Sequence, residues 1–139
     1  MNLARLKIVI NELVILLLEL LESRNPQLDA SLSGSERTVR LFLENLPRRL
    51  DEPWTLDSMA EASGIGRSQF ANLCRKTVNL TPIAYLGQLR LDRAATLLTS
   101  NPGLSVTEIA FGCGFQSSQY FARAFRARFG HVPSALRRG

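Results

Sequence analysis

Apolar residues recur along this chain at helical spacing from end to end. No stretch alternates apolar and polar residues between hairpin turns, so the pattern predicts an all-α protein. Over residues 2–23, Leu3, Leu6, Ile10, Leu13, Leu17 and Leu20/Leu21 share one helical face. Val9, Val14, Ile15, Leu16 and Leu18 make the same helix apolar almost all round, and such a helix must bury itself against a partner. Asn25-Pro26 predicts its end, and residues 26–35, with Ser31, Ser33, Gly34 and Ser35, read as a linker. A further helix from about Ser35 would bury Val39, Phe42, Leu43 and Leu46, with Pro47 ending or kinking it.

From Thr55 the helix signals come quickly. Thr55 caps a short helix to about Ala62, and a second runs from about Arg67 to Val78, with Asn79 as a left-handed C-cap. Thr81-Pro82 supplies an N-cap and a first-turn proline for a long helix to about Thr99, burying Ile83, Leu86, Leu89, Leu97 and Leu98. After the Asn101-Pro102-Gly103 turn, Ser105 and Glu108 have capping-box spacing. Ser117 then caps the last substantial helix, which ends at Gly130.

Two segments about fifty residues apart repeat one another. Thr55, Leu56, Met59, Ala60, Gly64 and Ile65, closing with Asn79-Leu80-Thr81-Pro82, match Ser105, Val106, Ile109, Ala110, Gly114 and Phe115, closing with Gly130-His131-Val132-Pro133. In each, a small Ala four residues before a Gly lets a second helix cross closely, and the Gly permits a turn at positive φ. The repeat predicts two helix–turn–helix units within residues 36–139, after an apolar helix (1–25) and a linker (26–35).

The second helix of each unit has a legible outer face. With Phe70, Leu73 and Cys74 buried, Ser68, Ala71, Asn72 and Arg75 face outward; with Phe121, Ala124 and Phe125 buried, Gln119, Ala122, Arg123 and Arg126 do so. Ser68 corresponds to Gln119, Ala71 to Ala122, Asn72 to Arg123 and Arg75 to Arg126. Short side chains allow close approach to a major groove, amide and guanidinium groups match base edges, and cations match phosphates. The expected base readers are Ser68, Ala71, Asn72, Gln119, Tyr120, Ala122 and Arg123. Arg123 suits guanine, and Asn72 and Gln119 suit adenine or water-mediated contacts. The expected phosphate contacts are Arg67, Arg75, Lys76, Arg126 and Arg128.

Charge agrees with that reading. The net +5 divides into −3 over residues 1–63 (seven basic, ten acidic) and +8 over residues 64–139 (ten basic, two acidic), which suits a polyanion partner for the second part. Other chemistries find little support. One His and two Cys make no zinc site, Cys74 and Cys113 read as reduced core residues, and no metal or cofactor is expected. Gly64-x-Gly66 follows a helix rather than a strand, and His131 has no nucleophile partner in a motif, so no enzyme is expected. The apolar run Ile8–Leu21 is broken by Asn11, Glu12 and Glu19. A membrane span needs ~20 apolar residues and a secretory signal an uncharged core, so the chain reads as cytoplasmic and nucleoid-associated.

Residues from about Glu36 to Arg138 resemble the C-terminal DNA-binding domain of the AraC/XylS family of bacterial transcription regulators. The likeness rests on Tyr85-Leu86, Arg90-Leu91-Asp92-Arg93-Ala94, Ser105-Val106-Thr107-Glu108-Ile109-Ala110, Gly114-Phe115, Tyr120-Phe121, Phe125-Arg126, Phe129-Gly130 and Pro133-Ser134-Ala135-Leu136-Arg137. Cys74, Asn79, Leu136 and Pro47 depart from the family pattern. The resemblance implies two helix–turn–helix units joined by a long helix and reading successive major grooves of double-stranded DNA. It implies a transcription regulator, more often an activator, with RNA polymerase as a further partner. Residues 2–23 resemble the helical tail of the family's sensing domain, a candidate homodimerisation element. A fragment without its sensor and a natural short form both fit. The competing function is a helical interaction or dimerisation module without sequence-specific DNA binding.

Overall fold

The computed structural model describes residues 3–24 and 26–138, and their side chains apart from those of 19–32 and 138. Every regular element among them is helical: α1 (Leu3–Arg24), α2 (Pro26–Asn45), a 3₁₀ turn (Leu46–Arg49), α3 (Leu56–Ser63), α4 (Arg67–Val78), α5 (Pro82–Ser100), α6 (Val106–Gly112), α7 (Ser118–Phe129) and α8 (Pro133–Arg138). The chain divides into two compact units, one up to Arg37 and one from Thr38 onward.

In the first unit, Leu3, Leu6, Ile10, Leu13 and Leu17 are exposed along α1, as are Ile8, Val9, Val14, Ile15, Leu16 and Leu18. The side chains of Leu20 and Leu21 and the expected stop at Asn25 lie outside the described residues. The expected linker at 26–35 is helical instead, because α2 begins at Pro26. Proline is preorganised for a first helical position, where its missing N–H is not needed. Ser and Gly each disfavour helix by only about 1 kcal/mol or less, and extending a nucleated helix avoids a second nucleation cost.

The second unit holds two cores. Val39, Leu43, Leu46, Leu50, Met59, Ala60, Phe70, Cys74 and Leu86 form the first, closed by edge-on contacts of Phe42 with Trp54 and Phe70. Leu91, Ala94, Leu98, Ile109, Ala110, Cys113, Phe115, Phe121 and Phe125 form the second. Helix α5 runs through both, with Leu86 in one and Leu91, Ala94 and Leu98 in the other. Asn45 ends α2 two residues before Pro47, and the chain tightens there into the 3₁₀ turn.

The caps fall where expected. Thr55, Thr81, Ser105 and Ser117 each accept a backbone N–H through the side chain, and Gly64, Asn79 and Gly130 adopt positive φ. Of the expected Ser105–Glu108 box, the structure forms the Ser105 half, while Thr55 and Ser58 form a complete one. Ile83 is 49% exposed rather than buried. It lines an open cleft between the two repeats instead of entering either core. Helix α8 follows Pro133 and is fastened by Arg137, which donates to the carbonyls of Leu104 and Asn101.

Candidate nucleic-acid interface

Each repeat pairs a short helix with a longer one, α3 with α4 and α6 with α7. The inner stripes are as expected: Phe70 and Cys74 on α4, and Phe121 and Phe125 on α7, are fully buried, with Leu73 and Ala124 half-buried beside them. This anchoring fixes which side chains remain outside. Ser68, Asn72 and Arg75 are exposed on α4 and Ala71 is half-buried; Gln119, Tyr120, Arg123 and Arg126 are exposed on α7 and Ala122 is half-buried. All seven expected base readers therefore stand on the outer faces of the two second helices.

At the start of α7 a hydroxyl pair orients one of them. Ser117 Oγ accepts from Tyr120 N at 3.2 Å and donates to Gln119 Oε1 at 3.1 Å, and Ser118 Oγ donates to the same oxygen at 3.4 Å. With its carbonyl oxygen occupied, the Gln119 amide offers its two N–H donors outward. The Tyr120 ring lies 6.3 Å from that of Phe115, at the edge of the cleft.

The expected phosphate contacts are of two kinds. Among the described residues, Arg75 and Arg126 form no ion pair, and Arg75, Lys76, Arg126 and Arg128 occupy the last turns of α4 and α7. There they also suit the negative end of the helix dipole. Arg67 is paired with Asp57 at 3.3 Å, and Arg128 is bound through Nε and Nη2 to Asp92 at 3.0 and 3.1 Å. The Arg67–Asp57 pair is largely solvent-exposed and the Arg128–Asp92 pair partly so, and exchanging a carboxylate for a phosphate costs on the order of 1 kcal/mol.

Two arginines that the sequence offered as charge and as part of the family likeness, with no structural role, have defined partners. Arg90 donates from Nε to Leu50 O at 2.9 Å and from Nη2 to Glu52 O at 2.7 Å, and Arg93 donates to Pro47 O at 3.1 Å. Burial lowers the Arg90 pKa from its ordinary value, while the Cys113 thiol and Asp51 raise it. Their spacing of three residues on α5 was the available signal, since it places both on one face of a helix buried at Leu91 and Ala94. Cys74 and Cys113 are unbridged and buried; burial pushes the Cys74 thiol up to about 11 and raises that of Cys113 against the pull of Arg93 and Arg90. Among the described residues no His, Cys, Asp and Glu group has metal-holding geometry, and no helix is long and apolar enough to cross a membrane.

The pattern of a family described as a helix-turn-helix domain matches residues 59–139. A crystal structure from Chromobacterium violaceum, described as a transcriptional regulator of the AraC-type DNA-binding domain-containing proteins, superposes with a TM-score of 0.67 at 28% identity, covering 76% of this chain and 94% of that one. The chain belongs to the AraC family. Its AraC-type domain also resembles the DNA-binding domain of AdpA, a global transcriptional factor solved in complex with a target DNA (TM-score 0.69, 26% identity, 72% of this chain and 89% of that one). Among curated AraC-family relatives, the transcriptional activator RhaS of Escherichia coli strain SE11 is 32% identical over 120 residues, 86% of this chain and 43% of RhaS. The chain spans less than half the length of the first curated relatives it matches.

Proposed function

We propose that this chain is a sequence-specific transcription regulator that inserts α4 and α7 into successive major grooves of one DNA duplex. The observation that carries the reading is the matched pair of outer faces, held on repeated elements with equivalent caps. Helix α5 has nineteen residues, about 28 Å at ~1.5 Å per residue. Successive major grooves on one side of a duplex lie about 34 Å apart, within reach of that spacer and the two repeats it carries.

In this reading Arg123 forks onto guanine, and Asn72 pairs with adenine. Gln119, with its donors outward, meets acceptor edges. Ser68, Ala71, Tyr120 and Ala122 set the depth of approach. Arg75, Lys76 and Arg126 hold phosphates, and Arg67 and Arg128 do so by exchanging their carboxylate partners. The name of RhaS supports an activator, and the AdpA structure supports binding to a target DNA; RNA polymerase is the further partner that such an activator would engage. The exposed apolar length of α1 supports self-association. Selection of binding sites from random duplexes tests the reading: two preferred segments about one helical turn apart are expected, and enrichment of no sequence returns the chain to an interaction module.

A further inference from the structure

The two repeats use their turn glycines differently. Gly64, at φ +69°, has open space where a Cβ would stand. Gly114, at φ +100°, does not: a Cβ there would lie 2.2 Å from Leu50 O and 2.6 Å from Arg90 Nε. Only a residue without a side chain permits this approach. Leu50 belongs to the segment that leads into the first repeat, and Gly114 is the turn of the second. Arg90, from the helix between them, lies against Gly114 and donates to both Leu50 O and Glu52 O.

The joint matters because α5 holds the two repeats unequally. It buries Leu91, Ala94 and Leu98 in the second core but only Leu86 in the first, with Tyr85 and Leu89 half-buried beside it. Pro82 is also buried, at the very start of the helix, so the first repeat is held around one end of α5, which serves as a pivot more than a clamp. The guanidinium of Arg90, binding two carbonyls in one plane, resists rotation about that pivot, and Arg93 on Pro47 O adds a third tether to the same segment.

We infer that Arg90 and Gly114 form the joint that fixes the angle between the two repeats, and so determine which separation of DNA sub-sites the protein accepts. This inference rests on α4 and α7 being the two reading helices. Arg90 acts here as a positioning residue, through the first repeat, and touches no DNA itself.

The test measures binding of the whole chain to each sub-site alone and to duplexes carrying both at separations stepped by one base pair. The wild type is measured first. Absence of any advantage for two sub-sites over one overturns the two-helix reading, and the joint with it. Given that advantage, Arg90→Gln and Arg93→Gln should leave single-site binding within about twofold. They should lower the two-site advantage about tenfold and broaden the preferred separation. Arg90→Lys, which keeps charge but loses the fork, should fall between. Folded variants that retain the sharp wild-type optimum overturn the inference. Should a variant bind too poorly to titrate, nitroxides at Thr77→Cys and Ala127→Cys report the separation of α4 and α7 without DNA. A distance distribution broadened by Arg90→Gln supports the joint, and an unchanged one refutes it.

Discussion

Arg128 on α7 and Asp92 on α5 are joined by two parallel hydrogen bonds of 3.0 and 3.1 Å, across thirty-six residues of sequence. The pair ties the end of the second recognition helix to the helix that joins the repeats. It also engages one of the cations expected to hold DNA.

Asp92→Asn should therefore release Arg128 while costing at most about 1 kcal/mol of stability, because both partners are partly exposed. Each added phosphate contact steepens the dependence of log affinity on log salt by about 0.9. Since Arg128 reaches phosphate in the wild type by exchanging this partner, the variant should bind duplex more tightly with a similar slope in a salt titration, and Arg126→Ala should show a slope shallower by about 0.9.

Arg123 should behave differently from these flanking cations. Arg123→Ala is expected to cost about 1–3 kcal/mol on the preferred site and to relax discrimination at one base pair. Arg75→Ala should weaken all sequences alike. Affinities for a set of singly substituted duplexes distinguish the two patterns.

Leu13 and Leu17 stand exposed on one face of α1. Replacing both with Lys should convert a self-associating chain into a monomer that still binds a single site, more weakly through lost avidity. Sedimentation of wild type and variant checks this, and a monomeric wild type contradicts it.

Cys74 is expected to resist alkylation in the native state, since the thiolate is the nucleophile and burial pushes the thiol up to about 11 from an ordinary 9.0. The native chain keeps a proton that the unfolded chain loses, so stability should fall as pH rises from about 9 toward 11. Denaturant titrations over that range, with iodoacetamide labelling at pH 8 in native and unfolded protein, measure both effects.

Local chemistry made most of the fold readable. Thr55 with Gly64, Thr81 with Pro82, and Ser117 with Gly130 mark helix ends through bonds made within a turn, and the stripes at Phe70 and Phe121 orient the outer faces. The equivalence of Thr81-Pro82 with Val132-Pro133 also held the signal for α8, because each proline opens a helix. What local pattern could not supply were choices settled by distant neighbours. Ile83 is apolar but faces a cleft, and Arg90, Arg93 and Arg128 find their partners thirty-six to forty-six residues away. The helix through Ser31, Ser33 and Gly34 overrode a composition that reads as a break.

The central claim, that both repeats read one side of a single duplex at a fixed separation, is tested most directly by the affinity of the whole chain for its selected site with base pairs inserted between the two sub-sites. An insertion of about 5 bp turns one sub-site to the opposite face, and binding should fall to that of a single repeat. A full turn of about 10 bp restores the face but exceeds the reach of α5, so it should not rescue. Full rescue at one turn, or indifference to both insertions, would contradict the account.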